Sequence, residues 1–237
     1  MRRGSVRYPK IMKKALLTGT ILAAALVVPQ AASARVIELG SAIPSTAVSC
    51  PANCQAIGRV TGYQGRGGAV REPFVIPRAG RVLAFTIRLG SPDATQERFF
   101  EDLYGGPPQV RLSILRQGKS KKKVHRLLAQ SPAFRLDSHF GTTPTFVLDE
   151  PLRVRRKQIV GITVPTWAPA FAVGLQRDHW WRSSRRAKRC ENVKQSAQQT
   201  KVDSRKTFGC TYFTARLYYT VTYVPDNRTT RRVDTNN

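Results

Sequence analysis

From Thr211 to Val224 apolar and polar positions alternate. Phe213, Ala215, Leu217, Tyr219, Val221 and Tyr223 take every second place, with Tyr212, Thr214, Arg216, Tyr218, Thr220 and Thr222 between them. Successive side chains of a strand point to opposite faces, so this period predicts a long strand with one face in a core. Arg81–Leu89 repeats the pattern, with Leu83, Phe85, Ile87 and Leu89 opposite Val82, Ala84, Thr86 and Arg88. In Gln109–Gln117, Val110, Leu112 and Ile114 oppose Arg111 and Ser113. Shorter candidates lie at Ala56–Tyr63, Pro73–Pro77, Lys123–Ser131, Thr145–Leu148, Leu152–Val154, Gln158–Val164 and Ala170–Gln176. Breaks such as Gly67-Gly68, Arg78-Ala79-Gly80 and Gly105-Gly106-Pro107-Pro108 separate many of them, and Asp149-Glu150 before Pro151 reads as another turn. One short helix is predicted at Thr95–Leu103, with Phe99, Phe100 and Leu103 on a shared face. Strands without a sustained helical period argue for an all-β, two-sheet antiparallel sandwich.

The ends read differently. Residues 1–34 have the form of a secretory signal peptide: six basic residues, an apolar stretch from Ala15 to Val28, then Ala32-Ser33-Ala34. The apolar stretch is shorter than the roughly 20 residues a membrane-spanning helix needs. Cleavage there would leave 34 basic residues against 14 acidic ones and no transmembrane segment. Residues 35–49 form a lead-in, 50–225 the sandwich domain, and 226–237 a polar tail. Export makes disulfides the expected state of Cys50, Cys54, Cys190 and Cys210. Of three possible pairings the two local ones are favoured, and Cys190–Cys210 would close a polar insert between the last long strands. A four-thiolate zinc site would want tight cysteine pairs on both sides, which the second pair lacks.

Charge changes the picture most. The chain carries 40 Lys and Arg against 14 Asp and Glu, a net +26. Three basic runs stand out. Lys119, Lys121, Lys122, Lys123 and Arg126 form the first, and Arg153, Arg155, Arg156 and Lys157 the second. The third is Arg177, Arg182, Arg185, Arg186, Lys188 and Arg189 around Trp180 and Trp181, with Lys194, Lys201, Arg205 and Lys206 beyond it. Cations beside aromatic rings suit polyanions, the charges meeting phosphate or sulfate and the rings stacking on bases or sugars. The candidate binding residues are therefore Lys121, Lys122, Lys123, Arg155, Arg156, Lys157, Trp180, Trp181, Arg185, Arg186, Lys188 and Arg189. Solvated loops that keep an exported protein soluble would show the same runs.

Catalytic signals are sparse. His125, His139 and His179 have no second ligand at metal spacing, and neither a nucleophile elbow nor a phosphate loop occurs. No metal or other cofactor is expected. Glu97 and Glu101 are the best carboxylate pair for an acid–base reaction on a glycan, and as a plain reading they are solvated charges beside an apolar anchor. Asp178-His179 could orient a base, but no nucleophile is fixed near it by sequence, and a connecting loop is its expected place.

Two resemblances add to this. The runs Pro73–Val82, Arg111–Arg116, Phe146–Leu148 and Pro151–Val164 resemble jelly-roll sandwiches of the carbohydrate-binding type. Arg155-Arg156-Lys157-Gln158 departs from them where a Gly-Asp turn is usual. Cys-Pro-Ala-Asn-Cys at 50–54, Gly58–Gly62, Phe99–Pro108, Val164–Phe171, Thr207–Cys210 and Thr214–Leu217 resemble a group of uncharacterised secreted actinobacterial proteins. That resemblance implies export and a β-rich domain, assigns no activity and leaves function open. The expectation is a secreted or cell-surface, non-catalytic protein binding an anionic cell-envelope polymer or glycan, with nucleic acid held only non-specifically. The alternatives are a carbohydrate-active enzyme or lyase on the same sandwich, and a structural envelope module.

Overall fold

The computed structural model describes residues 35–226. The signal-peptide reading, and the polar tail beyond Asp226, lie outside the described residues. Strands β1 (Ile37–Leu39), β2 (Ile57–Gly67), β3 (Val70–Arg71) and β4 (Gly80–Ile87) precede helix α1 (Ala94–Tyr104). β5 (Gln109–Gln117), β6 (Val124–Gln130), β7 (Phe134–Arg135), β8 (Thr145–Val154) and β9 (Ile159–Ala168) follow it. β10 (Phe171–Ala172), β11 (Trp180–Ser183), β12 (Arg205–Thr207), β13 (Cys210–Phe213), β14 (Arg216–Leu217) and β15 (Tyr219–Pro225) complete the order.

A four-stranded sheet runs β1-β15-β4-β8, and a nine-stranded sheet runs β12-β6-β5-β9-β2-β11-β13, with β3 beside β2 and β7 beside β5. Every named pairing is antiparallel. One core joins the sheets: Phe85, Ile87, Val221 and Tyr223 from the small sheet pack with Val110, Leu112, Ile114, Val160, Ile162 and Val164 from the large one. Tyr219 crosses that core, stacking on Phe74 at 4.0 Å between ring centroids and donating its buried hydroxyl to the Val160 carbonyl at 3.0 Å. The architecture is the all-β, sandwich-like arrangement that the alternation predicts.

Several local expectations are corrected. The run Thr211–Val224 is three strands, because the chain turns at Thr214 (φ 57°), leaves the large sheet, pairs with β10 as β14 in a two-stranded ladder, and then enters the small sheet as β15. Ala215 to Tyr219 are all buried, Arg216 and Tyr218 included, and burial alternates only from Tyr219 to Tyr223; Phe213 is exposed at the far edge. In β4 a register shift between Val82 and Ala84 turns Val82 into the core, and its bulged partner is β8, which runs through Asp149-Glu150-Pro151 as one strand. Pro73–Pro77 forms no strand beyond a bridge from Val75 to Ile159. Helix α1 starts at a capping box between Asp93 and Gln96 and ends at Gly105 in the left-handed conformation. Its buried side chains are Phe100 and Tyr104, four apart on one stripe, packed with Trp167; Phe99 points outward at 59% exposure.

Both local disulfides form, Cys50–Cys54 and Cys190–Cys210. The second closes the insert between β11 and β13, and such a crosslink stabilises by about 3 kcal/mol. The insert covers the outer face of the large sheet. There Thr61, Thr163 and Ser113 on β2, β9 and β5 join hydroxyl to hydroxyl at 2.7 Å, and Gln130 on β6 donates to Ser113. The backbone of Gln199 docks on this row, its N–H on Thr61 and its carbonyl under the Gln130 amide. Phe208 packs beside it with Tyr63, Leu115, Leu127 and Ile159.

Candidate functional site

The first basic run occupies the β5–β6 turn. Gly118 and Val124 close the turn through backbone bonds, and the Gln117 amide donates to the Lys122 carbonyl at 2.7 Å. Lys119, Lys121, Lys122 and Lys123 are all exposed. They flank a surface cavity of about 630 Å³ whose charged lining is Arg116, Lys119, Lys121, Arg126 and Arg205, with no carboxylate among the lining residues. Arg126 is neutralised by Asp203, 2.7 Å away. The other four make no ion pair among the described residues.

The third run lies next to it. β12 pairs with β6 in the register Arg205↔Arg126, Lys206↔His125 and Thr207↔Val124, which lays the end of the insert along the hairpin. A second cavity, of about 540 Å³, is lined by Arg186, Arg189, Arg205 and Lys206, again without a carboxylate. Arg205 lines both cavities and so joins the first run to the third. The Lys206 ammonium donates to the Gln198 carbonyl at 3.0 Å. Burial, and then the nearby Arg186 charge, pull its pKa down. A positive group crowded by another positive group gains when an anion arrives.

The second run splits. Arg155, Arg156 and Lys157 are exposed on the β8–β9 turn. Arg155 faces a small hollow with Arg81, Arg153 and Asp226. Lys157 lines a separate cleft of about 280 Å³ with Tyr63, Glu72, Gln117, Trp180 and Arg182. Gln117 also borders the first cavity, so only Lys157 of this run approaches the joined face. In the cleft, the Trp180 ring lies so close over Gly65 that a Cβ there would meet it at 1.9 Å. Arg182 sits 5.7 Å from its centroid, a cation–π distance.

Two of the expected binding residues face inward. Trp181 is buried, stacked on Tyr212 at 4.5 Å, because neighbours in a strand take opposite faces and Trp180 has the outer one. Arg185 is 6% exposed; its guanidinium donates to the carbonyls of Cys190 and Gly58 and to the Tyr212 hydroxyl. It clamps the insert and is closed to a ligand. Arg186, Lys188 and Arg189 remain exposed. Arg116 went unnoticed as a lone cation at a strand end. The linking role of Arg205 rests on a three-residue strand with no periodic signal.

Among the other candidates, Glu97 is half-buried and Glu101 exposed on α1, and neither lines the basic cavities. His179 bonds Asp178 at 2.9 Å, and its Nε2 is buried with no hydrogen-bond partner among the described residues. β11 begins one residue later, so the pair ends a loop as expected. His125 is fully buried under the insert, its Nδ1 at the Lys123 carbonyl (3.1 Å) and its Nε2 at the Tyr63 hydroxyl (3.2 Å). Desolvation lowers its pKa to about 4, so the ring is neutral near pH 7. Among the described residues no cluster of three His, Cys, Asp or Glu could hold a metal, and no helix is long and apolar enough to cross a membrane. No family model, curated protein or solved structure matches this chain.

Proposed function

We propose that the chain is a secreted or surface-associated, non-catalytic protein that holds an anionic polymer, such as a cell-envelope glycan, on the face formed by the β5–β6 turn and the insert. The observation that carries this reading is Arg205, which stands in two adjoining cavities lined by cations and by no carboxylate. A chain of phosphates, sulfates or uronates running from Lys119 and Lys121 past Arg205 to Arg186 and Arg189 would meet charge along its length. Two disulfides suit an oxidising compartment, where such polymers are found.

Binding of dextran sulfate, with neutral dextran as control, tests the reading across a salt series. Polyanion binding releases counterions, so the logarithm of affinity falls linearly with that of salt concentration. About five engaged cations give a slope on the order of −4. A flat salt dependence, or equal binding of neutral dextran, removes the proposal.

A further inference from the structure

A second anion site is suggested at one end of the small sheet. Arg216, on β14, is only 3% exposed and forms no ion pair among the described residues. Its Nη1 donates to the carbonyls of Pro44 and Ile43, while its Nε is sealed from solvent with no hydrogen-bond partner among the described residues. A guanidinium does not shed its proton in a protein, so this charge persists in the interior and has to be offset there. What it meets instead is another cation. Arg88, just after β4, and Arg216 both lie against the ring of Tyr218, with Cζ 5.4 Å and 4.1 Å from its centroid. Burial lowers the pKa of Arg216, and the Arg88 charge adds to that.

The ring supplies part of the compensation through its negative face. It is itself fixed: the Tyr218 hydroxyl bonds the backbone of Thr46, and the Arg88 Nη1 donates to the Ser45 hydroxyl at 3.1 Å. Arg88, Arg216 and Tyr218 open on a cavity of about 390 Å³ bordered by the hydroxyl residues Ser45, Thr86, Thr143 and Thr220, without a carboxylate among its lining. Two guanidinium cations held in place by their backbone and hydroxyl acceptors, a rigid aromatic wall and a rim of hydroxyls line a hollow with positive charge and no negative group in its lining.

We infer that this cavity binds a compact oxyanion — a carboxylate, sulfate or phosphate — borne on a body no larger than one sugar unit. The basic cavities of the large sheet are lined by none of the same residues, so the site stands or falls apart from the polymer-binding reading.

The test is an NMR titration of the disulfide-intact protein with inorganic sulfate, acetate and glucuronate, following the Arg216 Nε–Hε and Thr220 amide signals. Saturable shifts are expected, with glucuronate bound at least tenfold more tightly than acetate if the hydroxyl rim holds a sugar body. Equal affinities would assign the site to the free oxyanion alone and overturn the sugar-unit part. Because Arg216 also anchors Ile43 and Pro44, the diagnostic variant is Arg88→Gln, which should raise the dissociation constants at least tenfold. Reversing Arg186 and Arg189 should leave them within twofold. Shifts that stay linear with concentration, or that saturate identically in Arg88→Gln, would overturn the site.

Discussion

Toward the small sheet, the large sheet presents Val60, Leu112, Ile114, Ile162 and Val164; away from it, the same strands present Thr61, Ser113 and Thr163. All eight side chains are buried. The inner set meets aliphatic and aromatic groups from β4 and β15. The outer set is covered by a polar loop whose backbone supplies the hydrogen bonds its hydroxyls need. Burial by an opposing sheet is enforced by apolar area, and burial by a loop is held by matched polar groups and a crosslink. The loop-covered face is therefore the one that salt, pH and reduction should loosen first.

Substitutions on the two faces should separate most strongly. Leu112→Ala empties volume between the sheets and should cost about 4 kcal/mol in a denaturant titration. Ser113→Ala, one residue away on the outer face, removes a hydroxyl bonded to Thr163 and Gln130 and should cost about 1 kcal/mol. Equal losses would mean that the faces are not distinct.

Acid should act on the outer face through His125. Its folded pKa is about 4 against about 6.5 unfolded, so between these values the unfolded chain binds more protons and stability falls as pH drops from 6.5 toward 4. The full effect is about 3 kcal/mol, read as the difference between wild type and His125→Gln across that window. An unchanged pH profile in His125→Gln would contradict the buried, neutral imidazole. Replacing Cys190 and Cys210 together by Ala should also cost about 3 kcal/mol or somewhat less. The loss should fall first on amide-exchange protection of Gln199 and Phe208, with β4 and β15 protected longer.

These contrasts mark how far the sequence could be read. The Gln109–Gln117 strand matches its expected bounds, because its alternation holds through Ile114 and it has partners on both sides; Leu115, where the register to β6 shifts, breaks the period without ending the strand. The Thr211–Val224 alternation matches burial from Tyr219 to Tyr223, but it misplaces Phe213, which is exposed, and Arg216 and Tyr218, which are buried, and it misses the breaks between strands. A turn at Thr214, with positive φ, takes the chain out of the large sheet, and nothing in the alternating pattern marks it. Phe99 and Phe100 are about 100° apart on a helix, so only one could lie on the stripe that carries Tyr104. Nothing local in the sequence announces that the insert returns over Ser113 and Thr163. For the candidate face, composition located the cations but not their direction: Arg185 and Arg186 are neighbours, one clamped inside and one free. The meeting of runs some eighty residues apart through Arg205 depends on tertiary pairing of a strand too short to carry a pattern.

The most direct test of the joined basic face is the affinity for dextran sulfate of Arg205→Glu beside Arg81→Glu, which makes the same charge change on an exposed residue away from both cavities. The account predicts that Arg205→Glu weakens binding at least tenfold and flattens the salt slope by about one unit, with Arg81→Glu within threefold of wild type. Equal weakening by the two reversals would reduce the effect to net charge and contradict a face organised around Arg205.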